Sequence, residues 1–251
     1  MKITLSHLQN TYTIDLSHGW DISIPLISGA KGPKCFDAPD FSVLPVVSGS
    51  FIGCVDQGSA VNFKNIFINP HGNGTHTECA GHITSEKITI HECLKEFHFV
   101  ARVVTVVPEV MPEGDLVITK DVISKVIDGG QNTIVVRTLP NPKSKLTKDY
   151  TGTNPPYFSE EAILYLNQVG ICHLITDLPS IDKEHDGGAL AGHKAFWHFP
   201  DNIDKHKTIT EMVYVPDEID DDFYFCNIQI LSIESDASPS KILLYRLEQN
   251  Q

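Results

Sequence analysis

The chain is short of positive charge, of long apolar runs and of paired cysteines, and each shortage closes off a class of function. Nineteen Lys and Arg face 32 Asp and Glu, a formal net charge of −13 at pH 7. A surface of that sign repels a phosphate backbone unless a basic patch is set into it. No basic cluster occurs along the sequence, so nucleic acid is not expected as a partner. No apolar run approaches the roughly 18 residues that a membrane helix needs. The opening stretch MKITLSHLQNTYTIDLSHGW alternates polar and apolar residues and lacks the unbroken apolar core of a signal peptide. The expected setting is the cytoplasm, away from membranes. Cys35, Cys54, Cys79, Cys93, Cys172 and Cys226 form no CxxC pair, and in that setting they are expected as free thiols.

Several motifs are missing as well. There is no GxGxxG after a strand-like run, no GxxxxGK[ST] and no GxSxG, which leaves nucleotide-binding and serine-hydrolase chemistry without support. No internal repeat, low-complexity tract or Pro/Gly/Ser-rich linker divides the 251 residues, so one domain over 1–251 is expected. With 41% hydrophobic and 20% charged residues, the composition is that of an ordinary globular chain.

What is present begins with short runs rich in Val and Ile: ARVVTVV (101–107), DLVIT (115–119), NTIVVRT (132–138), ICHLIT (171–176) and KILLYRL (241–247). Their length and β-branched content predict strands, several buried on both faces. SEEAILYLNQVG predicts a helix with Ser159 as N-cap, Glu160 and Glu161 in the first turn and Gly170 just past the end. TKDVISKVIDGG predicts a second, shorter helix that also runs into glycine. Helices mixed with many strands predict an α/β or α+β fold built on a mixed sheet.

The chemistry concentrates in NPHGNGTHTECAGH, residues 69–82. An isolated loop histidine is usually a solvated or hydrogen-bonded group, but three histidines and a carboxylate fall within twelve residues here. On an extended segment His76 and Glu78 project to one face, and imidazole nitrogen with carboxylate oxygen suits Zn²⁺ or Mn²⁺. His82 follows four residues on, close enough to act on whatever a metal holds. Gly72, Asn73 and Gly74 are turn residues that can bend the chain so that His71 and His76 converge, although the spacing of the two suits neither a helix face nor a strand face. Further ligands must come from elsewhere. TDLPSIDKEHDGGALAGHKAFWHF offers Asp177, Asp182, His185, Asp186, His193 and His198, and TITEMVYVPDEIDDD offers Glu211 followed by an acidic run that reads as a solvated face. Cys79 as a thiolate nucleophile is a rival reading. It alternates with Glu78, however, so in an extended segment it points away from the ligand face and packs underneath.

These residues, taken in order, resemble the cyclase family of metal-dependent hydrolases, which includes bacterial kynurenine formamidase (arylformamidase) and isatin hydrolase. The family signature resembles HxGTHxDxPxH; here Gly74, Thr75 and His76 keep GTH, Glu78 stands at the aspartate, Ala80 at the proline and His82 at the last histidine. IDLSH (14–18), NPPYFSEEAILYLNQVGICHLITDLPSID (154–182), GHKAFW, TITEMV and SDASPSKILLYRL match further segments along nearly the whole chain. The resemblance implies a swivelling β/β/α domain with a mixed sheet flanked by helices, a homo-oligomer (dimer or tetramer), and one or two divalent ions, Zn²⁺ or Mn²⁺. It implies His76 and Glu78 as metal ligands, His193 and Glu211 as ligands completing a second metal position, and His82 as the general acid/base. The implied activity is hydrolysis of a C–N bond in a small linear or cyclic amide. The family's best-known substrate is N-formylkynurenine, of tryptophan catabolism.

One position departs from the pattern. The family's first histidine falls on Gly72, while His71 lies one residue earlier. Either the extra residue forms a bulge that returns His71 to the metal, or one metal position is lost and the chain is a non-catalytic relative that binds a small molecule.

Overall fold

A computed structural model describes residues 1–29, 31–127 and 129–250. The predicted mixed sheet is present, and it closes on itself. Seven strands run around the barrel in the order Phe223–Ile230, His98–Val106, Thr133–Thr138, His173–Thr176, Thr208–Glu211, His76–Glu78 and Ala237–Arg246, and the last pairs back onto the first. From His98–Val106 through Thr208–Glu211 the pairs are parallel. The remaining pairs are antiparallel. Closure leaves the barrel strands little free edge, and Gly19–Asp21 adds a short strand alongside Ala237–Arg246.

Parallel neighbours need crossovers, and helices supply them. Glu160–Gln168 lies between Thr133–Thr138 and His173–Thr176, and Ala191–Phe196 precedes Thr208–Glu211. In the first, the Ser159 hydroxyl accepts from the Ala162 amide, Ala162, Ile163 and Leu166 are buried, and Gly170 follows at φ +87°. That is the predicted cap, face and stop. The second predicted helix is real but stops early: Thr119 caps Lys120–Ser124, and the chain leaves helical form well before Gly129. Its run of β-branched Val122, Ile123, Val126 and Ile127 restricts side-chain rotamers in a helix, and Ile123 and Ile127 are buried in the core. Asp128, inside the predicted segment, lies outside the described residues.

Thr133–Thr138 and His173–Thr176 are buried at every position, as strands covered on both faces must be. The acidic run is largely exposed as expected, yet Asp221 accepts from the Thr105 amide at 2.7 Å and from Arg137 at 3.1 Å. Three pieces lie outside the barrel sheet: a hairpin of Lys2–His7 with Asn10–Asp15, a small sheet in which Leu116–Ile118 pairs with Glu109–Val110 and Tyr157–Phe158, and an arm formed by Ser42–Pro45 with Lys64–Phe67 and Val47–Ser48 with Phe51–Ile52. No helix among the described residues is long and apolar enough to cross a membrane.

Candidate metal centre

The short strand His76–Glu78 is buried at all three positions and lies between Thr208–Glu211 and Ala237–Arg246. Its register brings distant residues together. Glu211 stands opposite His76, so their side chains share a face, and Ala237 stands opposite Glu78, which puts Asp236 beside the same carboxylate. On the other face the Thr77 and Thr210 hydroxyls bond at 2.8 Å. Cys79 is fully buried against the Ile88 carbonyl, underneath the ligand face.

Glu78 is the hub. Its Oε2 lies 2.9 Å from His71 Nδ1 and 3.9 Å from His82 Nε2, and its Oε1 lies 3.1 Å from His193 Nε2. His76 Nε2 is 3.4 Å from Glu211 Oε2, while Glu211 Oε1 accepts from the Ile181 amide at 2.9 Å. His71, His76, His82, His193, Glu78 and Glu211 are thus gathered into one cluster.

The HGNG turn brings His71 into it. The Gly72 and Asn73 amides both donate to the Asn69 carbonyl, at 3.2 and 3.0 Å, and Gly74 adopts φ +71°. A Cβ on Gly72 would sit 2.2 Å from that of Ala38, so close packing demands glycine where the family pattern has histidine. The ring of His71 then stacks on His82 with centroids 4.1 Å apart.

Each of three histidines has one nitrogen occupied away from the centre and the other turned into it. His76 Nδ1 faces the Gly74 carbonyl at 3.0 Å, His193 Nδ1 faces Asp182 Oδ2 at 2.6 Å, and His71 Nε2 faces Asp236 Oδ2 at 2.8 Å. An N–H on the outer nitrogen suits those acceptors and, in the neutral ring, leaves the lone pair on the inner one, the arrangement of a metal-ligating histidine with its supporting carboxylate or carbonyl. The inner nitrogens of His71 and His193 then meet Glu78 oxygens, acceptor against acceptor, so a proton or a cation must lie between them. Among the described residues the buried His76 Nε2 has no hydrogen-bond partner, Glu211 Oε2 lying 3.4 Å away, and the buried Glu78 Oε2 has no donor unless His71 Nδ1 carries a proton. These orphaned atoms and the mixed nitrogen and carboxylate donor set fit a divalent ion. Three ligand groupings lie close enough to share one: His71, His76 and Glu78; Glu78, His82 and His193; and His71, His82 and Asp236.

The electrostatics agree. Burial opposes a charge on Glu78, but His82, His193 and His71 outweigh it and hold the carboxyl well below its usual range. Burial likewise disfavours a charged His71, yet Asp236 and Glu78 raise it to about 10, and Asp182 and Glu78 raise His193. Asp236 is lowered by His71 and His82. A cluster that pulls protons so strongly is one in which a cation competes with them.

Asp182, one of several open candidates in the sequence, orients His193 and also accepts from the Gly192 and His193 amides at 2.6 and 3.1 Å. Asp236 was not singled out from the sequence; it lies 165 residues from His71, and only the register of Ala237 against Glu78 reveals it. The other candidates lie apart. Asp177 pairs with Lys145 at 2.7 Å, Asp186 accepts from the Gly188 and Leu190 amides, His198 faces Asn167, and His185 is exposed.

Residues 14–183 match the family model described as "Putative cyclase". Among solved structures, the chain is similar to a "predicted metal-dependent hydrolase from Bacillus stearothermophilus" (TM-score 0.64, 19% identity, 91% of this chain and 98% of that one). It is also similar to an isatin hydrolase bound to the product analogue thioisatinate (TM-score 0.65, 14% identity, 92% and 94%). Isatin hydrolase A from Labrenzia aggregata bound to benzyl benzoate is a third (TM-score 0.64, 16% identity, 92% and 94%). At these identities the likeness is one of fold. No curated protein matches the sequence.

Proposed function

The chain belongs to the cyclase family, and from that premise we propose that it is a metal-dependent hydrolase acting on a C–N bond of a small linear or cyclic amide, arylformamidase-like in its chemistry. The observation that carries the reading is the buried Glu78 carboxylate ringed by His71, His193 and His82, beside a His76 Nε2 without a hydrogen-bond partner among the described residues. His71, His76, Glu78, His193 and Glu211 would hold one or two ions, Zn²⁺ or Mn²⁺. When bound, such an ion supplies the positive charge that polarises an amide carbonyl and acidifies a water.

The remaining work falls to side chains. His82 is less buried than the ligand histidines, with Nδ1 3.4 Å from Asp236 Oδ2 and Nε2 turned toward Glu78. In this reading His82 Nε2 takes a proton from the attacking water and returns it to the leaving nitrogen, and Asp236 stabilises the imidazolium between those steps. Asp182 and Asp236 accept from the outer nitrogens of His193 and His71 and so aim the inner nitrogens at the centre, where an ion would take the place of the proton. The rival reading, a non-catalytic binder with an incomplete metal site, rests on Gly72. Against it, His71 Nδ1 lies 2.9 Å from Glu78, which supports the hydrolase reading.

The test is direct. Purified protein reloaded with Zn²⁺ or Mn²⁺ should hydrolyse members of a panel of aryl formamides and cyclic amides, and lose that activity to a chelator. Fewer than roughly 0.2 ions per chain after gentle purification, with no turnover on reloading, would return the reading to a binding protein.

A further inference from the structure

The Cys79 thiol takes no part in the proposed reaction, yet it sits on the seam between the metal centre and the other end of the barrel. Glu78 stands opposite Ile209, so Cys79, one residue on, comes level with Thr208, which holds His173. Cys93 lies at the same end. It closes the short helix Ile90–Cys93 and, with Phe99, Cys172 and His173, lines a cavity of about 380 Å³. Backbone bonds clamp both cysteines to one segment: the Cys79 amide donates to the Asp236 carbonyl at 3.0 Å, and the Ile90 amide donates to the adjacent Ser235 carbonyl at 2.7 Å. The Cys79 thiol donates to the Ile88 carbonyl at 3.8 Å, just before that helix, and both side chains belong to the main buried core, whereas Cys35 belongs to a separate cluster. There the two thiols meet, each the foremost polar neighbour of the other.

Cys93 is the more accessible of the two, 6% exposed against 0% for Cys79, and it borders the cavity. The Cys79 thiol donating to it holds it below its ordinary range, with burial opposing. We infer that Cys79 and Cys93 are a peroxide-sensitive thiol pair whose oxidation to a disulfide bears on the metal centre. The Cys93 sulfur attacks one oxygen of hydrogen peroxide, the O–O bond breaks, and a sulfenic acid and a water result. The Cys79 sulfur then attacks the Cys93 sulfur, the S–O bond breaks, and the departing hydroxide leaves as a second water with the Cys79 proton. The two thiols supply the two electrons that the peroxide takes up. Joining the sulfurs draws them closer than van der Waals contact, so the backbone at Cys79 or the end of the helix must shift. Glu78 directly precedes Cys79, and Asp236, whose carbonyl holds the Cys79 amide, faces His71 and His82. The crosslink thus displaces both carboxylates. This inference is independent of the hydrolase reading, because the pair lies beneath the ligand face whatever that face does.

A small molar excess of hydrogen peroxide on the full chain should remove two of its six thiols, as titrated in denaturant. A digest without reductant should contain a Cys79–Cys93 joined peptide that dithiothreitol separates, and Cys93→Ser should yield no joined peptide. Hydrogen exchange at residues 76–79 should rise on oxidation and fall back on reduction, with or without a bound ion, so failure here and failure of the hydrolase reading are told apart. Thiols that survive the peroxide overturn the proposal, as do sulfinic acid without a joined peptide and a disulfide between other cysteines. A Cys79–Cys93 bond that leaves exchange at residues 76–79 unchanged overturns it as well. Should Cys93→Ser fail to fold, the wild-type digest and exchange decide the matter.

Discussion

At the two ends of one strand, Thr208–Glu211, histidines stand in opposite states. At its start Thr208 holds His173, whose Nδ1 lies 2.9 Å from the Thr208 hydroxyl and whose ring packs 4.2 Å from Phe99. No carboxylate bears on it, and burial alone pushes its pKa down to about 4. At its end Glu211 faces His76, and neighbouring His71, between Glu78 and Asp236, is raised to about 10. Burial acts in the same direction at both ends. The supply of carboxylates reverses the outcome, and that supply is what makes one end a candidate metal centre and the other part of the scaffold.

The sharpest test of the contrast is at the acid/base. His82→Ala should lower kcat by roughly 10²–10⁴-fold while metal content stays at the wild-type level; metal lost along with activity would recast His82 as a ligand. A smaller effect is expected one layer out. Asp182→Asn leaves a shape-conserving acceptor but removes the charge behind His193, and metal affinity measured by competition with a chromogenic chelator should fall about 10–100-fold. An unchanged affinity would mean that Asp182 serves only its two backbone amides.

The scaffold end gives a prediction of opposite sign. Because the folded-state pKa of His173 is depressed from 6.5 to about 4, its contribution to stability is complete above pH 6.5. It is lost as pH falls through that window, as the unfolded chain binds the proton first. Between pH 7.5 and 5.0 this amounts to about 2 kcal/mol. Urea unfolding of His173→Gln should show a loss across that interval smaller than the wild type's by about this amount, and parallel losses would remove His173 from the account. The least effect is local. Ser159→Ala removes the cap on Glu160–Gln168 and should cost about 1 kcal/mol with metal content untouched, read by thermal unfolding.

Much of this was legible in the chain before folding. A run such as NTIVVRT is a strand because its β-branched residues suit a pleated, covered surface, and SEEAILYLNQVG is a helix because its cap, apolar spacing and glycine stop agree. Period-two geometry placed His76 and Glu78 on one face and Cys79 on the other, since alternation is a local property of an extended backbone. Barrel closure was not legible, because no pattern within a strand names its neighbour. The insertion of His76–Glu78 between Thr208–Glu211 and Ala237–Arg246 joins strands that lie far apart in the sequence.

The site divides along the same line. Sequence by itself determined the chemistry available: imidazoles and a carboxylate spaced for a metal in residues 71–82, with glycines that let the chain turn tightly. The family resemblance already implied Glu211; only the tertiary structure decided which other distant acids stand beside it. Strand register brought in Asp236, loop packing selected Asp182 over Asp177 and Asp186, and the contact of Gly72 with Ala38 put His71 where its offset had left two outcomes open. Ligand type is written residue by residue, whereas convergence to within about 3 Å depends on strand pairing across 165 residues, which no local spacing encodes.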